Sequence, residues 1–424
     1  VITRRVLLRC LTLACFSLLC PATLLSAADA RKPGKLRWEK HKLVESLNEA
    51  LDVADVNRDG KPDIIAGPHW FEGPAWKRHP LRDIKMNNKE FLETNGDHAI
   101  DLNGDGWVDV ISGSWFSDKI FWYENPGKAG LAAGEKWSQR PVVSGQEACE
   151  GLLLEDLDGD GVPELVANSW NKDKPLTVVR IKPGRNGQPP AFQPIEIGGP
   201  GTGHGIAVGD INGDGRPDLF VCQGWYEQPP GEWFARKWKF HKAFNLRHVS
   251  LPCVIADVNG DGKNDIIVAQ AHDYGLRWLE QGPVTAGEIT WTEHEIDKSL
   301  SQLHCLVWRD LDGNGRKELV TGKRWRAHRG RDPGAAEPVC LVRYVWDSST
   351  KQFEKDFISY DEGIGTGMQI RLADLDGDKR LDIAVAGKTG TYVLLNRGPA
   401  ASRPARVSAA PARPLRVPVP PKTD

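Results

Sequence analysis

Seven times along the chain, carboxylates and amides fall on alternate positions of a short segment of the form Asp-x-[Asn/Asp]-x-[Asp/Asn]-Gly-x-x-[Asp/Glu]. Hard oxygen donors crowded in this way repel one another unless a cation sits among them, and the donor type suits Ca²⁺. In the first copy the donors are Asp55, Asn57, Asp59 and Asp63, with Gly60 at the sharp turn and the Lys61 carbonyl available as a further ligand. The same plan gives Asp101, Asn103, Asp105 and Asp109; Asp156, Asp158, Asp160 and Glu164; Asp210, Asn212, Asp214 and Asp218; Asp257, Asn259, Asp261 and Asp265. The last two copies are Asp310, Asp312, Asn314 and Glu318, and Asp374, Asp376, Asp378 and Asp382. Asn314 weakens the sixth and Lys379 replaces the turn glycine of the seventh, so these two are expected to hold a cation least tightly. An EF-hand is excluded, because its twelfth position needs a bidentate Glu and the chain has Ala66, Ser112, Ala167, Val221, Val268, Thr321 and Val385 there.

A second set of residues could do chemistry because it departs from the repeat. Six residues before each loop stand Glu49, Asn95, Glu150, His204, Leu251, His304 and Met368. Copies of one unit should carry like residues here, so this divergence points to a specialised pocket. His204 or His304 could remove a proton next to a carbonyl, with Arg326 or Lys388 stabilising the oxyanion, and Glu150 with the histidines could hold a further divalent metal. Around them, His69, Trp70, Trp225, His272 and Lys388 are candidate substrate contacts, and His69, His272, Arg324, Arg326 and Lys388 give the rim a basic, imidazole-rich character.

The elements that must position these residues are strands. Apolar, β-branched runs such as Ile64-Ile65-Ala66 and Ile266-Ile267-Val268 follow each loop, and another apolar stretch precedes it, so each acidic loop is the tip of a β-hairpin. A third strand follows, as in Trp70-Phe71-Glu72 and Trp225-Tyr226-Glu227, and then a fourth with an aromatic followed by His, as in Trp76 and His79, Trp238 and His241, or Trp291 and His294. Loop spacings of 46 to 64 residues leave room for four strands per unit, so the expected fold is all-β: a seven-bladed β-propeller with four-stranded blades. The seventh unit lacks its fourth strand, whereas Trp38 to Leu43 carries that strand's pattern. The N-terminal strand is therefore expected to close the last blade. His41, His79, His241 and His294 become outer-strand residues, and Arg371, Asp52 and His98 are expected to form a charged network across neighbouring blades. The loops lie on one face, which leaves the pocket for the other.

The loops resemble the FG-GAP/VCBS repeats of integrin α-chain propellers, of some fungal lectins and of the propeller portion of aldos-2-ulose dehydratase-type enzymes. Segments such as Phe121 to Pro126 and Trp225 to Pro229 are more similar to the bacterial and dehydratase-type members than to integrins. The resemblance covers about Lys35 to Gly398 and implies Ca²⁺ in up to seven structural sites. It also implies a carbohydrate ligand or substrate, without any activity that depends on a second, cupin domain.

Residues 1–30 read as a secretory signal, with Arg4 and Arg5, an apolar run from Val6 to Leu19, and a small-residue cleavage site at Ala28-Asp29-Ala30. Residues 31–398 are then the propeller, and the Pro-, Ala- and Arg-rich stretch 399–424 has no means of burying a core and is expected to be a disordered tail. This organisation predicts a secreted or periplasmic bacterial protein without a membrane span. A formal net charge of −2 with interspersed signs argues against a nucleic-acid partner. Cys149, Cys222, Cys253, Cys305 and Cys340, odd in number and unclustered, are not a disulfide framework. The expected function is a calcium-binding propeller whose central pocket holds carbohydrate. The alternative is a carbohydrate lyase or dehydratase that works by histidine-mediated proton abstraction, and a monomer suffices for either.

Overall fold

The computed structural model describes residues 34–399 apart from 146–148, 168–173 and 201–202. The expected signal segment and all of the tail except Pro399 lie outside the described residues. Seven four-stranded antiparallel sheets follow one another as the blades of a propeller. Blade 1 is built from Leu51–Ala54, Asp63–Ala66, His69–Glu72 and Lys77–Pro80. Blade 7 consists of Ile370–Ala373, Asp382–Gly387, Gly390–Pro399 and, paired along the outside, Leu36–Val44. The N-terminal strand thus closes the last sheet, with His41 opposite Val393 and Trp38 opposite Asn396.

The burial of each strand explains its sequence. The second strand of a blade has a blade on either face, so Asp63–Ala66, Glu164–Ala167 and Asp218–Val221 are buried at every position and read as continuous apolar runs rather than as an alternation. Fourth strands have neighbours on one side only. There the recurrent histidine stacks on the third-strand tryptophan, with ring centroids 4.3 Å apart for Trp70 and His79, 4.1 Å for Trp225 and His241, and 4.6 Å for Trp278 and His294. The imidazole Nε2 meets the neighbouring third-strand carboxylate at 2.8 Å (Glu72), 2.7 Å (Glu227) and 2.7 Å (Glu280).

Adjacent blades are stitched by an amide side chain at the end of the third strand. Asn125, Gln228, Gln281 and Asn396 donate to the carbonyls of Val56, Leu157, Ile211 and Leu311, each the second residue of the preceding blade's acidic loop. The Glu-Asn-Pro and Glu-Gln-Pro sequences are therefore blade-to-blade fasteners. Arg371 donates to Asp52 at 2.6 Å and lies 3.5 Å from His98, the network expected across blades 7, 1 and 2. All five cysteines of the propeller are buried and unpaired in disulfides.

Candidate functional site

The ninth-position acid of each loop points inward. Asp63, Asp109, Asp218, Asp265 and Asp382 are fully buried, and each accepts a backbone N–H from the loop and another from the end of the third strand. Burial raises their carboxyls, to about 7 for Asp109 and Asp218 and about 6 for Asp63 and Asp382, although these bonds pull the other way. The first-position aspartate caps the turn, as where Asp210 accepts from the N–H groups of Gly213, Asp214 and Gly215. In loops three and seven, three carboxylates (Asp156, Asp158 and Glu164; Asp374, Asp376 and Asp382) converge within 4.8 Å.

The third position sorts the loops into two kinds. Where it is asparagine (Asn57, Asn103, Asn212, Asn259), the third strand carries a glutamate (Glu72, Glu124, Glu227, Glu280). Asn103 and Asn259 donate to theirs at 3.2 and 2.9 Å. Where it is aspartate (Asp158, Asp312, Asp376), the third strand carries an arginine instead, and Arg180, Arg343 and Arg397 lie 3.8, 3.9 and 2.5 Å from those carboxylates. The swap keeps one carboxylate at the pair: the strand glutamate gives way to a loop aspartate that comes with its own guanidinium.

On the opposite face, a cavity of about 550 Å³ is lined by Asn88, Phe91, Asn95, Trp115, Phe116, Glu150, His248, His272, Arg324, His328 and Asp332. A larger one, about 910 Å³, opens on the loop side; its lining, drawn from blades 3 to 7, mixes apolar side chains with charged ones such as Glu155, Arg309 and Arg371 and contains no histidine. The smaller cavity is where the divergent residues meet. Glu150 and His204 precede the first strands of blades 3 and 4, His304 lies in the first strand of blade 6 (Leu303–Arg309), and His272 follows the second strand of blade 5 (Asp265–Ala269). Gly205 lets His204 sit there: its φ is +91°, and a Cβ would stand 2.4 Å from Val249 Cγ2.

The three imidazoles, though steeply inclined to one another, each turn Nδ1 to an oxygen. Nδ1 of His204 and of His304 lies 3.2 Å from the carbonyls of Val249 and Gln302, and Nδ1 of His272 lies 2.8 Å from Asp332 Oδ2. Oxygens of these kinds accept, so Nδ1 carries the proton on each ring and Nε2 of a neutral ring presents a lone pair. Those Nε2 atoms converge. His272 Nε2 is 2.8 Å from His204 Nε2, which is 2.9 Å from Glu150 Oε2, and the donor atoms of Glu150, His204, His272 and His304 all fall within 4.8 Å. One proton between His204 and His272 serves one acceptor at a time, whereas a divalent cation satisfies the whole set.

Burial pushes His304 well below the ordinary imidazole range, and burial with the neighbouring His204 takes His272 down to about 4. Burial alone would raise Glu150, but His204 and then Arg324 hold it well below the usual carboxylate range. Neutral His272 and His304 beside an ionised Glu150 are the protonation states that ligation needs of those groups. Arg324 closes the floor. It forms a bidentate pair with Glu49 at 2.5 and 2.6 Å, and its Nη1 donates to His304 Nε2 at 3.0 Å, a hydrogen bond that ligation through that nitrogen would replace.

Of the residues singled out in the sequence, Glu150, His204, His272 and His304 are brought together. Lys388 is buried beside the cavity, its Nζ 3.4 Å from Glu90 and 3.7 Å from the Phe91 ring centroid. Trp70 and Trp225 are buried under their stacked histidines, so the blade interior uses the faces a sugar would need. His69 and Arg326 are not among the lining residues. Asn88, Phe91, Phe116, His248, His328 and Asp332 were not anticipated. Asn88 and Phe91 belong to a small hairpin, Met86–Asn87 with Phe91–Leu92, inserted between blades 1 and 2. His328 and Asp332 lie between the second and third strands of blade 6, inside the longest loop-to-loop interval, 64 residues, and that excess length was the available signal.

The FG-GAP-like repeat family matches residues 101–167, 156–221 and 257–321, each segment running from the first aspartate of one acidic loop to the second strand of the next blade. The chain carries FG-GAP-like repeats and folds as a seven-bladed β-propeller. Among solved structures it is similar to BBS1N, crystallised in complex with ARL6DN and soaked with lead, at 11% identity over 84% of this chain and 96% of that one, with a TM-score of 0.48. It is also similar to the V. cholerae biofilm matrix protein Bap1, at 11% identity over 86% of this chain and 84% of that one, with a TM-score of 0.35. No curated protein matches the chain.

Proposed function

We propose that the protein is a carbohydrate-active, metal-assisted lyase or dehydratase whose site is the cavity opposite the acidic loops, held rigid by a Ca²⁺-stiffened propeller and exported after removal of its signal segment. One observation carries the choice of chemistry over simple sugar binding: the convergence of three Nδ1-anchored imidazoles and Glu150 on one point. A site that only held a sugar would need aromatic faces and hydrogen-bonding amides, which Phe91, Trp115, Phe116, Asn88 and Asn95 supply, but it would not need a buried metal-ligand set. Glu150, His204, His272 and His304 are the residues that would hold a divalent cation, and such a cation supplies Lewis-acid polarisation of a substrate oxygen.

With His204 and His304 engaged through Nε2, the proton next to the substrate carbonyl falls to another base. His248 lines the cavity, its ring centroid 6.1 Å from that of His204. The elimination moves that proton to the imidazole, turns the C–H electron pair into a C=C bond and expels an oxygen leaving group from the adjacent carbon. Arg324 offsets negative charge developing on the oxygen side.

The test is to incubate metal-analysed protein with keto-sugars and uronic-acid polymers and to follow ultraviolet absorbance of unsaturated product. Activity lost on chelation and in His204→Ala and His304→Ala establishes the chemistry. Saturable sugar binding without product, in protein carrying the cation, would replace it with a binding module. For the loops, Ca²⁺ added to chelated protein should raise the melting temperature, because a ligand of the folded state stabilises it by mass action.

A further inference from the structure

Resting on the metal reading above, we infer that Asp332 is a positioning residue of the centre: it acts through His272 and, from a different blade, sets that ring's tautomer and donor strength. Two of the three imidazoles have Nδ1 anchored by main-chain carbonyls. Only His272 is anchored by a carboxylate, Asp332 Oδ2 at 2.8 Å. A carboxylate on the far side of a ligating imidazole fixes the N–H there, directs the other lone pair at the metal and makes that nitrogen a stronger donor.

Asp332 is itself held in place. Its second oxygen, Oδ1, is 2.9 Å from His328 Nδ1, and the His328 ring stacks on His272 with centroids 4.5 Å apart and planes at 24°. One carboxylate therefore grips two parallel imidazoles. His272 comes from blade 5, whereas Asp332 and His328 come from the segment between the second and third strands of blade 6. In that segment Arg326, His328 and Arg329 take φ values of 47°, 49° and 61°, a region disfavoured for side chains with a Cβ. The chain adopts this course where it carries His328 and Asp332 to the cavity.

Asp332 and His328 also group with His272 as a set that could take a second ion. The positioning role is favoured because both imidazole Nδ1 atoms already point at the two oxygens of one carboxylate, an arrangement satisfied when each nitrogen bears a proton.

The experiment uses the full chain with Ca²⁺ in excess to fill the oxygen-rich loops, and Co²⁺ as the probe, read by bound stoichiometry, affinity and visible d–d absorption. The wild type should bind one Co²⁺ per chain at the nitrogen-rich centre. Asp332→Ala should still bind one, about 10- to 100-fold more weakly and with a displaced d–d band. Asp332→Asn, which keeps an acceptor without the charge, should fall between them, and it supplies the readout if the alanine variant does not fold. Unchanged affinity and spectrum in both variants would overturn the inference. So would two Co²⁺ per chain in the wild type with one lost in Asp332→Ala, since Asp332 would then be a ligand. Wild-type protein that binds no Co²⁺ would instead end the metal reading of the cavity, and the positioning role with it.

Discussion

Replacing Asp218 by alanine should destabilise the propeller even when every cation has been stripped from it. Asp218 is fully buried at the ninth position of the fourth loop, with Oδ2 accepting the Ile211 N–H and Oδ1 the Gln228 N–H, both at 2.9 Å. Alanine leaves two buried donors without a partner, at about 1–3 kcal/mol each. Part of that is recovered, because burial holds this carboxyl up at about 7 and its removal also removes a desolvated group. The lower half of the range, about 2–4 kcal/mol, is the expected net loss. The assay is urea unfolding followed by tryptophan fluorescence, in excess chelator and again in excess Ca²⁺, with Asp214→Ala as the contrast. Asp214 is exposed at the loop tip, and its substitution should matter chiefly when Ca²⁺ is present. If Asp218→Ala matches the wild type in chelator and departs from it only in Ca²⁺, the buried carboxylate is a ligand and nothing more, and the hydrogen-bond account is wrong.

Three other outcomes are expected. Glu280→Arg in blade 5 should cost about 0.5–1 kcal/mol, and adding Asn259→Asp should recover part of it, because the pair then matches the aspartate–arginine loops while the Glu280–His294 contact stays lost; a double-mutant cycle with zero coupling would refute the pairing. Burial alone would raise Asp297, but Lys355, Tyr344 and Ser299 hold it below the ordinary range, so its folded pKa lies under its unfolded one. Its contribution is therefore present above about pH 4 and lost as pH falls through the folded value. Asp297→Asn should lower stability at pH 7 by about 1–2 kcal/mol and flatten the acid limb of a stability–pH curve. Gly205→Ala should destabilise by about 2 kcal/mol or more, because its Cβ would meet Val249 and Cys222 at a positive φ. Chemical denaturation of that variant, together with loss of cation binding at His204, checks the claim.

The sequence made the architecture legible because the fold repeats. Seven acidic hairpin tips, continuous apolar second strands and an orphan strand at Trp38 to Leu43 each have a counterpart in the seven sheets. Divergence at one register position also located Glu150, His204 and His304. The rest of the site escaped because it comes from segments the repeat does not describe. Asp332 and His328 reach the cavity from an insert whose course depends on left-handed backbone at three residues, and no periodicity announces that. The tryptophans misled for a related reason. Trp70 and Trp225 recur because the blade interior needs a flat partner for the fourth-strand histidine, so their repetition marked packing rather than recognition. The two kinds of loop were visible all along as an exchange of Asn for Asp matched by Glu for Arg, but only the three-dimensional pairing says which residues to compare.

The outer strand of blade 7 also bears on how the chain is made. Arg37 donates to the Arg397 carbonyl, a partner 360 positions further on. At ordinary translation rates of about 5–20 residues per second, the first strand waits on the order of tens of seconds for its sheet. A waiting strand is a hazard, since its free edge can pair with any other nascent chain. Leu36–Val44 reads Leu-Arg-Trp-Glu-Lys-His-Lys-Leu-Val, with charged side chains dense enough to discourage such pairing until blade 7 emerges. The composition that makes it a modest strand on its own lets it serve safely as the last seam to be sewn.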